Sequence, residues 1–231
     1  MPKNHEFLEG GFSCLTRAEL PELDISSEKV IPADKVSKLL SGAMRIIKRC
    51  PKMKKENKAR DAMLVVTGLL SGLRVSELIA LRWGDVAMNH NPPRLIVQKG
   101  KGGKYREVLV PYWLLDFLSA YRRWAWGAGW ACVDGEYIFC SPRSGKKPSP
   151  IKKRTAQFAI ARMYKRYDLA GFSAHSLRHT FATGLYRASG KDLQLVQWQL
   201  GHDEARTTCI YIGLLGEDVV ESLQKLHKGR K

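Results

Sequence analysis

Six side chains in this chain could together move a phosphoryl group. Arg74 stands in GLRVSEL (72–78), after a glycine at the start of a helix. A guanidinium beside helix-start amides suits a phosphate oxygen. Lys101 lies in QKGKGGKYR (98–106), and a cationic turn can reach a leaving oxygen and protonate it. His175 and Arg178 lie three apart in HSLRHTFAT (175–183), so on a helix they share a face. The arginine can clamp a second non-bridging oxygen in a bidentate fork. The histidine can accept a nucleophile's proton or orient it. His202 ends Leu200-Gly201-His202, and Tyr211 follows within TTCIYIG (207–213). Two arginines, a lysine, two histidines and a late tyrosine are what in-line attack on a phosphodiester needs without a metal.

Each of these residues has an ordinary reading when taken alone. Arg74 has Glu77 as an obvious ion-pair partner, and His202 reads as a capping or surface histidine. Tyr211 is one of eight tyrosines, and a phenol with a reference pKa of about 10 needs cationic neighbours or a base before it attacks. Tyr164, Tyr167 and Tyr186 lack such a context. His179, four residues after His175, raises a metal pair, but there is no HExxH and no carboxylate cluster nearby. His179 therefore reads as a packing residue. There is no G-x-x-x-x-G-K-[ST] phosphate loop, so ATP use is not indicated. No carboxylate cluster is placed to hold two magnesium ions, and neither a metal nor a cofactor is expected.

The elements that must position these residues follow from periodicity and punctuation. Val36, Leu39, Leu40, Met44 and Ile47 form one apolar face of a helix over 33–50, which Pro51 stops. A second helix over 56–71 buries Ala62, Leu64, Val65, Leu69 and Leu70, and Ser71-Gly72 breaks it. A short helix follows over Val75–Leu81. Arg94–Gln98 and Tyr105–Val110 read as two strands around the turn Lys99–Lys104. A helix runs from Pro111 to about Trp126, and Trp124, Trp126 and Trp130 read as core packing. Glu136–Phe139 reads as a third strand. Ser149-Pro150 reads as an N-cap and first-turn proline for a helix over about 150–167. Helices over about 174–188, 191–200, 203–211 and 215–227 complete the chain, with Gly201 capping the one before it. The expected fold class is α+β, mostly α-helical with a small antiparallel β-sheet.

Composition narrows the partner. The 231 residues carry a formal charge of +17, which points to a polyanion, with nucleic acid the default. The charge is uneven. Residues 1–34 hold seven acids against three bases, a net of −4, so the remainder carries +21. Two basic stretches, Arg45–Arg60 and Lys146–Arg166, fit phosphate contacts. From them Lys48, Arg49, Lys52, Lys54, Lys55, Lys152, Lys153 and Arg154 are candidate DNA contacts, with Lys104 from the turn. Five cysteines without a CxxC read as a reduced, intracellular protein without structural zinc. The longest apolar run, 62–70, is too short to span a bilayer. The expected setting is cytoplasmic and nucleoid-associated.

GLRVSEL, the GKGGK turn, HSLRH, LGH and the tyrosine after Thr207-Thr208, in this order, resemble the tyrosine recombinase (phage integrase) family. The resemblance covers roughly residues 35–225. It implies a tyrosine recombinase catalytic-domain-like fold for 35–231, preceded by an acidic arm over 1–34 and without a separate core-binding domain. It also implies a site-specific recombinase or integrase that cleaves and rejoins DNA through a 3′-phosphotyrosine intermediate, without ATP or metal. Tyr211 would be the nucleophile, and Arg74, Arg178 and His202 would bear the charge on the phosphorane. His175 would act as general base or orient Tyr211. Lys101 matches the family's general acid best by position, with Lys104 second and Lys99 third. The partners implied are double-stranded DNA, further copies of the chain in a tetramer on DNA, and accessory DNA-binding proteins. Only about 35 residues precede the first catalytic-type helix, so the family's helical domain of about a hundred residues ahead of the catalytic domain is not expected here. Competing readings are a DNA-binding regulator that lost the chemistry, a type IB topoisomerase and a ribonucleoprotein-type basic protein.

Overall fold

A computed structural model of the chain describes residues 29–49, 56–98, 105–130, 132–141 and 149–201. Lys52, Lys54, Lys55, Lys99, Lys101, Lys104, His202 and Tyr211 lie outside the described residues, as do the helices expected over 203–211 and 215–227.

The fold is organised around one helix that is apolar on nearly every side. Helix α2 (Glu56–Ser71) follows α1 (Ala33–Arg49). Ala59, Ala62, Met63, Leu64, Val65 and Val66 of α2 are all completely buried, as expected of a helix hydrophobic all round. Five other helices pack on it: α1, α3 (Val75–Ala80), α4 (Tyr112–Gly127), α5 (Lys153–Arg166) and α6 (Ser176–Ala188). A last helix, α7 (Leu193–Leu200), packs on α6. Ala182 and Tyr186 of α6 meet Val196 and Leu200 of α7 in a smaller apolar cluster.

Beside the helices lies a three-stranded antiparallel sheet, β1 (Val86–Ala87), β2 (Arg94–Val97) and β3 (Arg106–Leu109), in that order. Leu95 faces Val108 across the ladder and Val97 faces Arg106. Leu95, Val97 and Val108 are buried while Ile96 and Glu107 turn outward, the period-two alternation of a half-buried sheet. A second pair, β4 (Cys140–Ser141) and β5 (Ser149–Pro150), brackets the basic loop.

Most expected elements are present, with four corrections. Glu136–Phe139 is not a strand. A turn in which the Glu136 amide donates to the Val133 carbonyl (2.9 Å) leaves Tyr137 a single bridge, to Arg82. The third strand is instead Val86–Ala87, too short to show a period. Ser149-Pro150 does not start a helix. Pro150 pairs with Cys140, and α5 begins after an extended Lys152. Proline tolerates such a sheet edge because it needs no ladder donor there. The tryptophans divide. Trp124 and Trp130 are buried edge to face at 5.6 Å, whereas Trp126 is exposed.

Charge is also buried against α2. Asp61 (4% exposed) accepts from Arg60 at 2.9 Å and from Arg162 of α5 at 2.6 Å. Arg60, itself 3% exposed, also donates to the Cys140 carbonyl at 3.2 Å. Removing one partner of a buried pair strands the other charge, at about 3–5 kcal/mol, whereas an exposed pair contributes about 0–1 kcal/mol. We expect Asp61→Ala to lower unfolding stability by about 3–5 kcal/mol and Arg162→Ala, whose side chain is 57% exposed, by about 1 kcal/mol or less. Urea denaturation of the two variants checks this, and equal losses would contradict it.

Candidate active site

The GLR motif is a helix start. Gly72 adopts a left-handed φ of +64°, and a Cβ there would run into the Phe181 ring of α6. Only glycine makes that turn without strain. Arg74 then precedes α3 in an extended conformation. Its backbone N–H donates to Glu77 Oε2 at 2.7 Å and its Nη1 to Glu77 Oε1 at 3.1 Å. Glu77 at the third helical position thus reaches back as the acidic half of a capping box.

Glu77 holds a second arginine that sequence reasoning missed. Arg106 Nη1 and Nη2 donate to the two oxygens of Glu77 at 2.9 and 3.1 Å. The signal was present in the alternation of β3. Arg106 is two residues from the buried Val108 and so on the core-facing side, where a charge requires a partner. Burial pushes the Glu77 carboxyl up, but the hydrogen bonds and charges of Arg106 and Arg74 outweigh it. The net pKa lies below the usual carboxylate value. The cluster is cationic, with two arginines on one carboxylate.

The HSLRH motif opens α6. His175 sits at its N-cap, where the Arg178 and His179 amides both donate to the His175 carbonyl, at 3.0 and 3.2 Å. Arg178 is 1% exposed. Its Nη1 donates to the Gly72 carbonyl at 2.6 Å and its Nη2 to the Leu200 carbonyl at 2.9 Å. One guanidinium therefore joins the GLR turn, α6 and the end of α7, three motifs far apart in sequence.

The LGH turn meets the same cluster. Gly201 caps α7 in a left-handed conformation, φ +65°, as expected. A Cβ on Gly201 would strike the Arg106 side chain at Cδ and Nε, so a glycine is needed for space as well as for backbone shape. His202 and Tyr211, the next two catalytic candidates, lie outside the described residues, as does Lys101.

The rings of His175 and His179 meet edge to face, 5.0 Å between centroids. Burial and the charges of Arg178, Arg74, Lys153 and Lys29 hold the His175 pKa below its usual value. Its imidazole is therefore neutral at pH 7 and able to accept a proton. Burial, then His175, Lys29 and Arg178, bring His179 down to about 4. Lys153, one of the expected DNA contacts, thus acts on His175 from the start of α5. Lys152, Lys153 and Arg154 are exposed there, and Lys48 and Arg49 are exposed at the end of α1. Among the described residues, no group of three or more His, Cys, Asp or Glu could hold a metal ion, and no helix is long and apolar enough to cross a membrane.

The profile of the phage integrase family matches residues 30–217. The chain is 36% identical over 156 residues to tyrosine recombinase XerC of Xylella fastidiosa, covering 67% of this chain and 49% of that protein. It is 28% identical over 223 residues to tyrosine recombinase XerA of Pyrococcus horikoshii, covering 96% of this chain and 70% of that one. Among solved structures, the XerH recombinase bound to its palindromic difH substrate after cleavage superposes with a TM-score of 0.67 at 26% identity. That match covers 84% of this chain and 52% of XerH. The XerA recombinase crystal structure superposes with a TM-score of 0.66 over 87% of this chain and 64% of that one, and at 24% identity it speaks for the fold. The mostly helical α+β fold with small antiparallel sheets is that of tyrosine recombinase catalytic domains. This chain belongs to the phage integrase family, and it spans about half the length of several of the relatives it matches.

Two outcomes follow from this geometry. The depressed His179 pKa means that the unfolded chain binds its proton first as pH falls, since an unperturbed histidine titrates near 6.5. That contribution is absent above pH ~6.5 and destabilises the fold as pH drops toward about 4, by at most ~1.4 kcal/mol per pH unit. His179→Gln should flatten the fall of Tm between pH 7 and 5, and an unchanged slope would contradict the assignment. Gly201→Ala should lower Tm through left-handed strain and the clash with Arg106, at about 1–3 kcal/mol. A neutral result by calorimetry would mean that the LGH turn does not sit on β3.

Proposed function

We propose that this chain breaks and rejoins DNA at specific sites through a covalent 3′-phosphotyrosine, with Tyr211 as nucleophile. The observation that carries this reading is the Arg178 tie, which brings the GLR, HSLRH and LGH motifs to one point. Arg74 and a neutral His175 stand around the same point. In this reading the phenol oxygen of Tyr211 attacks phosphorus, the bond to the 5′-oxygen breaks, and that oxygen takes a proton from Lys101. The phenolic proton passes to His175 or solvent. The phosphodiester energy is kept in the tyrosyl ester, so the rejoining step needs neither ATP nor metal. Arg74, Arg178 and His202 stabilise the charge on the non-bridging oxygens, each worth about 3–4 kcal/mol in the transition state. A guanidinium has five donors, so an arginine that holds two backbone carbonyls retains the capacity to bind a phosphate oxygen.

The partner in this reading is duplex DNA, with further copies of the chain assembled on it. XerH is seen bound to its palindromic difH substrate, and a lambda integrase dimer is seen bound to a COC′ core site. Lys48, Arg49, Lys152, Lys153 and Arg154 supply exposed cationic contacts, and binding should weaken steeply with salt as counterions are released. Residues 35–231 form the catalytic domain and the acidic residues 1–34 an arm.

The test is covalent trapping. The full chain is incubated with nicked suicide duplexes drawn from DNA flanking its gene and run on denaturing gels. The expected result is an SDS-resistant adduct with the native chain and none with Tyr211→Phe. Tight, salt-dependent binding without an adduct on any duplex would favour a non-catalytic DNA-binding protein. An adduct that survives Tyr211→Phe would move the nucleophile elsewhere.

A further inference from the structure

The turn that bears Lys101 leaves the sheet at Gln98 and returns to it at Arg106. The β2–β3 ladder ends at the pair Val97–Arg106, so Gln98 lies past the last register pair. Its side chain takes over there. Gln98 Nε2 donates to Asp85 Oδ1 at 2.5 Å. Asp85 is 3% exposed, and its other oxygen accepts the Arg82 amide at 2.8 Å across a 3-10 turn, Trp83–Asp85. At the returning end, Arg106 is forked on Glu77, whose side chain is 4% exposed. Both ends of the turn are therefore moored to buried carboxylates on the segment that carries Arg74. Between the two moorings lies a cavity of about 140 Å³, whose walls include Leu81, Ile96, Tyr137 and both carboxylates. At the hairpin root these polar contacts add to the packing of Val97, which is buried in the core.

We propose that Asp85 and Gln98 are positioning residues for the lysine-bearing turn, setting where its general acid stands relative to Arg74. The proposal rests on the reading of Lys101 as the proton donor. The positioning contact lies at the root of the turn, between Gln98 and Asp85. The physical reason is tethering. A short segment held at both ends samples far fewer arrangements than one loose at one end, and a displacement of about 1 Å at a reacting group can cost on the order of a hundredfold in rate.

The experiment separates proton donation from everything else in the step. Single-turnover cleavage is measured on two versions of the duplex that gives the covalent adduct. One has the natural 5′-bridging oxygen and the other a 5′-bridging sulfur. A thiol with a pKa of about 8.5 leaves as a thiolate and needs no proton, so the sulfur substrate bypasses the general acid. Gln98→Ala, at an exposed position, should cleave the oxygen substrate roughly ten- to a hundredfold more slowly and the sulfur substrate at nearly the native rate. Gln98→Glu, which sets a second carboxylate against Asp85, should repeat the pattern. Lys101→Ala should show it most strongly. Equal slowing of Gln98→Ala on both substrates, or no slowing on either, would overturn the positioning role. A Lys101→Ala variant that sulfur does not rescue, with the adduct still formed by Tyr211, would overturn the reading of Lys101 and this proposal with it. The covalent chemistry itself would then stand.

Discussion

Everything at the site depends on where the Arg178 guanidinium is spent. It is almost wholly buried and donates to the carbonyls of Gly72 and Leu200. Leu200 is the last residue of α7 and Gly72 follows the last residue of α2, so the guanidinium sits where helix C-termini leave acceptors without intrahelical donors. A cation placed between two helix C-termini also sits at the negative end of both dipoles. The arrangement therefore satisfies helix ends and accommodates a buried charge with the same bonds. It also fixes where Arg74 begins, because the turn at Gly72 leads directly into α3.

Glu77 performs the complementary task. A buried carboxylate is costly unless it is paired and fully hydrogen-bonded, and Glu77 accepts from the Arg74 backbone, the Arg74 side chain and both ends of the Arg106 fork. One acid thus ties together a helix start, the motif arginine Arg74 and strand β3. Gly201 on the far side of Arg106 closes the circuit to α7. Burial and the cationic surroundings hold His175 below its usual pKa, so its ring adds no further positive charge to the cluster at neutral pH.

Much of the scaffold was legible in one dimension. The apolar helix over 56–71, the hairpin around the lysine turn and the glycine cap at 201 each carry a local signature: all-round hydrophobicity, strand alternation about a Gly-rich turn, and glycine after the last periodic residue. The errors lie where tertiary pairing overrides such signatures. Ser149-Pro150 has the spelling of a helix start but completes a strand pair with Cys140. Val86–Ala87 has no spelling at all, because a two-residue strand exists only through its partner β2. On α1, Ala43 and Ile46 are buried where Met44 was expected, and Met44 is half-buried. Neighbouring helices, not the periodicity alone, set that rotation.

The sequence by itself determined which residue types stand in which order, and from that the family. Motif spelling is local, and Arg74, His175 and Arg178 needed no coordinates to be singled out. Only the tertiary structure decided how those residues are used. It turned Arg178 into a tie between helix ends, gave Glu77 a second arginine and seated Gln98 on Asp85. These are contacts between residues separated by 106, 29 and 13 positions. A hydrogen bond requires about 3 Å and a fitting angle, and no local pattern in a chain encodes which distant groups will meet that condition.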